Sequence, residues 1–559
     1  MWQKRSNYKI AFFLVFSLLG SNIYVNASEL DNVQTHILDN KKKLSEQLSY
    51  SNAVYIIRDI FDLRETVIDL NLKKSFKFKN KNYYRNQTII SLQAGQGIWV
   101  PKDILIMNKS LDTVLSKDGI YIPKKPVTLY LCSSKLCTID YQISAIVTMP
   151  EDCVLKFEGG LLSNGIIRSV RTQIQAPPVH IFGENMYFGW YWDIVEAYPE
   201  WFGAKGGDDS DDGYAIQKCL DSFRNTRLTN HNYYTSETIY IPSHGSLIGA
   251  GKYQTSIFYT KSVDNMICTD TKNTTTEIVI SNISFNKSKK DLSIKNGVKI
   301  HSATGSRIES VSVSGADIGF ALNSYFGSQI KSCIAYDCNI GFYLGVNEGS
   351  STSVDYDNCY ANKCAIGHLF RKCSYITTKN TSADYCETAY DIVESVVTLV
   401  SPGAECCKYF IRIIPHPELS SINNYAHNNI YVINGQSIAN EPNSDGVIYF
   451  ATETRGYEDR NRLVIDGLSI AFKKDTSKNK LLHKVGDGVL HINNLTSYLQ
   501  PDIEAINYYR DGVGVLNSTS LLKYWSDKKI GTSVFVTSLH KPLFWDGKQW
   551  VDSMGSPFN

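Results

Sequence analysis

The 559-residue chain has almost no net charge, since 57 Lys and Arg against 55 Asp and Glu leave +2. The cations are scattered, which argues against a nucleic-acid footprint. Beyond Gly20 no stretch approaches the roughly 18 apolar residues of a membrane-spanning helix. There is no C-x-x-C pair and no cluster of histidines, so zinc is not indicated. Two further absences bear on architecture. A helical solenoid would need about 10–15 residues of 3.6-period pattern in each unit. That pattern is missing, as are the regular Leu and Asn positions of a leucine-rich solenoid.

What the chain does have is a repeat. A-D-I-G-F at 316–320, C-N-I-G-F at 338–342, C-A-I-G-H at 364–368, C-E-T-A-Y at 386–390 and C-C-K-Y-F at 406–410 recur every 20 to 26 residues. Such a period marks stacked turns, each covering its neighbour's apolar surface. Five residues before each start stand Val311, Cys333, Cys359, Thr381 and Ser401, and three before stand Val313, Ala335, Ala361, Ala383 and Gly403, all small. Two after come Ile318, Ile340, Ile366, Thr388 and Lys408, and four after come Phe320, Phe342, His368, Tyr390 and Phe410. Spacing by two predicts strands with alternate side chains inside. The polar column Ser310, Ser332, Asn358, Asn380 falls between strand pieces, where a sharp bend needs left-handed backbone. The expected fold class is all-β, a parallel β-helix. Arg412 stands where the other units carry Leu322, Leu344, Phe370 and Ile392, which leaves the register of the fifth unit open.

Of thirteen cysteines, Cys333, Cys359, Cys338, Cys364, Cys386 and Cys406 keep the coil period and are expected as inward-stacked small apolar residues. Cys132 and Cys137 are spaced to close a hairpin by a disulfide. Residues 1–27 resemble a secretory signal: Lys4, Arg5 and Lys9, the apolar run 10–20, and Val25-Asn26-Ala27. The expected location is extracellular, periplasmic or at the cell surface. Residues 28–50 carry Leu30, Val33, Ile37, Leu44 and Leu48 at near-heptad spacing and predict an amphipathic helix able to dock or self-associate. A strand-rich extension is expected over 51–149, the β-helix over 150–515 and a C-terminal hairpin module over 516–559, its turn at Asp546-Gly547.

Two motifs then add a resemblance. C-V-L-K-F-E-G-G-L-L-S-N-G at 153–165 and Y-P-E-W-F-G-A-K-G-G-D-D-S-D-D-G-Y-A-I-Q-K-C-L-D at 198–221 are similar to segments of secreted bacterial and phage proteins of the pectate-lyase-like superfamily. The resemblance implies a right-handed parallel β-helix of pectin-lyase type, among relatives that include polysaccharide lyases, glycosidases, epimerases and tailspike depolymerases. The sequence departs from the family at Gly207-Asp208, where Asp-Gly is usual. Physically the second motif reads as a cap. Asp211 or Asp212 starts a helix near 212–223, whose buried stripe is Ile216, Cys219, Leu220 and Phe223, laid over an open coil end. The C-terminal segment is similar to short modules of phage tail-like proteins. Its Trp545 and Trp550 fit either sugar stacking or a hairpin folding its aromatics inward.

Catalytic motifs of the superfamily are not present. Only Gly367-His368 matches the G-H-G of polygalacturonases, and His368 sits in the aromatic column, where it reads as a stacked interior residue. The W-x-D-H and R-x-P-x-x-R patterns of the pectate lyases are absent, and His416 and His427 are isolated. The outward columns carry more. Glu309, Lys331, Asp357 and Lys379 alternate in sign, which suits a surface charge ladder, and beside them run Arg307, Gln329 and Asp355. Asp355 and Asp357, with Lys331 and Tyr360, form the candidate catalytic group. Arg307, Lys379 and Glu348, the last in the overhanging 345–353 loop, are the candidate substrate-binding residues, with Trp545 and Trp550. The expected partner is a polysaccharide or surface glycan, cleaved by β-elimination with a Lys, Arg or Tyr base, or by hydrolysis between paired carboxylates. Glycan binding or adhesion without catalysis, or a structural role like that of phage tail parts, are the alternative readings. No cofactor is indicated with certainty, and calcium is the candidate: Asp355 and Asp357 could share it, as two of the six to eight ligands it prefers.

Overall fold

The computed structural model describes residues 34–58 except 41, 146–183, 185–345, 350–414, 428–441, 445–452, 461–474, 479–485, 488–497, 508–510, 513–516, 522 and 530–558, together with the short strands 61–62, 75–78, 81–84, 99–101 and 129–131. The signal-like segment 1–27, Cys132, Cys137, Glu348, His416 and His427 lie outside the described residues. Two compact units are formed, Met1–Pro177 with Glu184–Asp193, and Pro178–Gly183 with Ile194–Asn559.

In the first unit Gln34–Ile37 pairs in parallel with Ala53–Ile57, which pairs with Val154–Phe157. Val154–Phe157 continues the ladder to the end of Gly165–Gln175, whose beginning pairs with Ile146–Thr148 and Met186–Trp192. The L-K-F-E-G-G-L-L-S-N-G motif is one turn of this array. Its strand Val154–Phe157 is followed by Gly159 and Gly160 at φ +142° and +71°, then by Leu162–Ser163 and a left-handed Asn164. The helix expected over 28–50 is corrected: among its described residues Gln34–Ile37 is a strand and only Leu44–Gln47 is helical. The apolar positions that suggested heptads serve two different elements. Leu44 is buried while Ile37 is 57% exposed, and pairing with Ala53–Ile57 satisfies the backbone groups a helix would have bonded internally.

The second unit is a parallel β-helix with three stacked faces. A bent face carries two short strands per coil, such as Gln329–Lys331 with Ile334–Tyr336 and Asp355–Asp357 with Tyr360–Asn362. A flat face carries Ile318–Leu322, Ile340–Leu344, Ile366–Arg371, Thr388–Val393 and Tyr409–Ile413. A short face carries Tyr325–Phe326, Ser351–Thr352 and Cys373–Ser374. The bend has one cause throughout. Asn282, Ser310, Ser332, Asn358, Asn380, Ser401, Asn434, Gly467 and Asn494 occupy one column, and every one has φ between +51° and +77°. Their amides bond the next coil, as Ser332 N–H does to Asp357 O at 3.0 Å and Asn358 N–H to Lys379 O at 2.8 Å.

The repeat motif is explained by what each position meets inside. Phe320, Phe342, His368 and Tyr390 stack ring on ring, with centroids 4.7, 5.1 and 5.0 Å apart. The Gly of I-G-F faces the Ala column of the bent face: a Cβ on Gly341 would lie 3.1 Å from Ala361 Cβ, 3.3 Å from Ala335 Cβ and 2.7 Å from Gly367 O. Cys333, Cys338, Cys359, Cys364 and Cys386 are buried and unbridged, filling small inward sites as expected.

The fifth unit runs one residue later than the motif suggests. Ala383 pairs with Ala404 rather than Gly403, Thr388 with Tyr409 and Tyr390 with Ile411. Cys406 is the left-handed turn residue and Cys407 the inward one. Two interactions favour this register: Ile413 continues the apolar column of Ile392, and Arg412 falls beside Asp391, with which it forms an ion pair. Phe410 remains buried but stands one position off the ring column, so it meets Tyr390 edge-on at 5.7 Å instead of stacking.

The cap forms as expected. Helix Gly213–Phe223 buries Ile216, Cys219, Leu220 and Phe223, and it packs on Asn225–Arg227 and Ile239–Tyr240, the first strands of two ladders. Asp211 accepts the Gly213 N–H at 2.9 Å, while Asp212, at the N-cap position, turns back to accept the Lys205 N–H at 2.8 Å. At the other end Lys541–Trp545 and Trp550–Val551 form the hairpin, with Asp546 accepting the N–H groups of Lys548 and Gln549.

Candidate functional site

The outward side of the bent face is divided by its bend into two strips. On the first, Arg307, Gln329, Asp355 and Thr377 form one column, and Glu309, Lys331, Asp357 and Lys379 the next, in the register expected. The ion pairs that form are not rung to rung. Arg307 reaches Glu309 on its own strand at 3.6 Å, and Lys379 reaches diagonally to Asp355 at 3.3 Å. Asp357 is half-buried, and its Oδ1 is shielded without a hydrogen-bond partner. Among the described residues no three of His, Cys, Asp and Glu gather as a metal site.

Tyr360 stands on the second strip and joins a different set. Its hydroxyl donates to Asp384 Oδ2 at 2.8 Å and accepts from Asn362 Nδ2 at 2.6 Å. Burial, with Asp384 beside it, pushes the phenol up to about 12. A phenol that holds its proton so firmly is a poor base at neutral pH. Asn362, Asp384 and Glu405 occupy one outward column on successive coils. Burial pushes the Asp384 carboxyl above the usual range, and the Glu405 charge adds to the effect. This pair was hidden in the sequence because the motif alignment, one residue out in the fifth unit, places Ala404 rather than Glu405 in the Asp384 column. The signal that exposes it is Arg412, which fits only the shifted register.

Around this column lie exposed side chains suited to a sugar chain. Tyr336 is 40% exposed and Tyr385 59%. Lys363 Nζ donates to Tyr336 Oη at 2.9 Å and lies over its ring. At the bend, Lys252 reaches in from its loop to donate to Ser332 O at 3.1 Å, and neighbouring Tyr253 is 79% exposed.

His368 is fully buried, as expected from its column. Tyr356 Oη–H bonds its Nδ1, its Nε2–H donates to Ser382 O at 3.0 Å, and burial pushes it down to about 4. Trp550 is corrected as a binding residue. It is only 6% exposed, in a core of Val534, Val536 and Leu543, with Trp545 packed edge-on at 5.4 Å.

No protein-family model and no curated protein matches the chain. Solved structures do resemble it. The tailspike gp42 of Acinetobacter phage vb_AbaP_AS12 superposes with a TM-score of 0.44 at 13% identity, over 65% of this chain and 65% of that one, so the chain spans just under two thirds of the tailspike's length. PfbA, a surface protein and adhesin of Streptococcus pneumoniae, gives 0.38 at 10% identity over 56% of this chain and 97% of its own. DFA-IIIase of Arthrobacter chlorophenolicus A6 gives 0.40 at 8% identity over 54% and 83%.

Proposed function

We propose that the second strip of the bent face binds a glycan chain and hydrolyses it, with Asp384 as the acid and Glu405 as its carboxyl partner. The observation that carries this reading is the pairing of the two carboxyls on adjacent coils, one of which, Asp384, burial shifts toward its protonated form. Glycoside hydrolysis uses such a carboxyl pair, one as acid and the other as nucleophile or base. Elimination is less well supported, because it needs a base and Tyr360 keeps its proton. Neighbouring parallel strands lie roughly 4.8 Å apart, closer to the ~5–5.5 Å of retaining pairs than to the ~6.5–9.5 Å of inverting ones. On this strand spacing we infer a retaining reaction. Asp384 protonates the leaving oxygen, Glu405 attacks the anomeric carbon, and water then releases the sugar. Tyr360 and Asn362 hold Asp384 in place. On the first strip Arg307, Lys331 and Lys379 bind the chain beyond the cleavage point, with Glu309 orienting Arg307 and Asp355 orienting Lys379.

The test is incubation with a panel of acidic and neutral polysaccharides, followed by assay of new reducing ends and of unsaturated-product absorbance. Reducing ends without that absorbance are expected, with losses of at least about 100-fold in Asp384→Asn and Glu405→Gln and only a small loss in Asp355→Asn. Full activity in Asp384→Asn would overturn the assignment, and unsaturated products would replace hydrolysis by elimination. Binding without cleavage across the panel would favour an adhesive role.

A further inference from the structure

The first unit carries a group of exposed aromatics that the hydrolytic strip does not use. Strand Met186–Trp192, M-Y-F-G-W-Y-W, ends its sheet, pairing on one side with Gly165–Gln175 and among the described residues with nothing on the other. Tyr187, Trp190 and Tyr191 are 54%, 56% and 80% exposed, whereas Trp201 is 1% exposed. Consecutive strand residues ordinarily face opposite sides. Trp190 departs from this, with φ at +67° within the strand. Left-handed backbone at a bulky residue is costly and tends to be kept where a side chain must be aimed.

The guanidinium of Arg168 lies over the Trp190 ring, 5.3 Å from its centre. Gly189 makes that approach possible, since a Cβ there would stand 3.1 Å from Arg168 Cγ. The ion pairs of this unit fall on Arg58, Lys156 and Arg171, and no carboxylate is paired with Arg168 among the described residues. A guanidinium stacked on an aromatic face keeps its edge donors free for a planar carboxylate. The neighbouring tyrosines offer broad amphipathic surface at small entropic cost.

We infer that Arg168, Trp190 and Tyr191 form a binding site for an acidic glycan, with Trp190 and Tyr191 against the pyranose faces and Arg168 on the carboxylate of a uronate unit. The site lies in the first unit and does not depend on the assignment of Asp384 and Glu405. It holds the polymer without cleaving it.

The experiment measures binding of the full chain to polygalacturonate and hyaluronan oligosaccharides, with dextran oligosaccharides as the neutral probe, in an Asp384→Asn background to prevent turnover. Trp190→Gly is the informative variant, because glycine adopts the left-handed backbone without strain and the fold should be as stable as before or more so. The expected result is at least a tenfold weaker Kd for both acidic probes with an unchanged or raised unfolding midpoint. Arg168→Gln should weaken the acidic probes at least fivefold and flatten their salt dependence. Acidic-glycan binding that neither variant alters would overturn the site, as would a parent protein that binds no acidic probe. Equal binding of dextran with no effect of Arg168→Gln would also overturn it. So would a Trp190→Gly variant that dissolves a dimer yet binds glycans as the parent does, since the strand edge would then serve protein association.

Discussion

At the scale of single residues, protons decide what the chain's unusual side chains do. His368 is neutral inside the fold because burial depresses it to about 4, whereas the unfolded chain takes up the proton near pH 6.5. The folded state thus binds fewer protons in that window, and stability is lost as pH falls from about 6.5 toward 4, by about 3 kcal/mol. Urea midpoints at pH 7 and pH 4.5 measure the difference. His368→Phe with Tyr356→Phe should shrink it, because the pair removes the titrating ring and the hydroxyl it satisfies. Asp384 tests the other direction. The hydrogen bond from Tyr360 favours its ionised form, so Tyr360→Phe should raise the Asp384 affinity for its proton. The alkaline limb of the kcat/KM profile should then move to higher pH, and an unmoved limb would remove Asp384 from the acid's role.

At the scale of the element, the coil was legible wherever one physical cause acts in every turn. Ser310, Ser332, Asn358 and Asn380 announced the bend because few side chains tolerate left-handed backbone. The I-G-F motif announced the flat strand, although the reason for its glycine, contact with the Ala column, emerges only in three dimensions. That contact gives a paired prediction. Gly341→Ala puts a methyl group against Gly367 O and two Ala Cβ atoms and should destabilise by about 2–4 kcal/mol. Gly327, at φ +50° with no atom within 4 Å of a Cβ, should cost only about 1–2 kcal/mol as Ala. Denaturant unfolding of the two variants separates contact from backbone strain. Local pattern failed where partners are distant: Arg412 signals its register only through Asp391, and Asp384 meets Glu405 only once that register is right. The near-heptad apolar positions misled because they are divided between a strand and a single helical turn, with Leu44 buried and Ile37 left exposed.

For the whole molecule, stacking makes the ends as important as the middle. Each coil is stabilised by its neighbours, so the first coil needs the helix Gly213–Phe223 over it. Leu220→Asp places a charge in the centre of the buried stripe. The expected outcome is a fall of several degrees in the unfolding midpoint and concentration-dependent aggregation seen by light scattering, since an uncovered strand edge recruits other chains. The same change at exposed Tyr214 should be silent, which distinguishes loss of the cap from a general effect of charge.

The interior thiols give this assembly a built-in reporter. Ten of the eleven described cysteines are sealed inside, and Cys406, the turn residue of the fifth unit, alone is partly open. Among these, a brief exposure of native protein to an alkylating reagent should mark Cys406 first. Labels appearing later at Cys338, Cys364 or Cys386 would record, coil by coil and without any engineered probe, how often the stack comes apart.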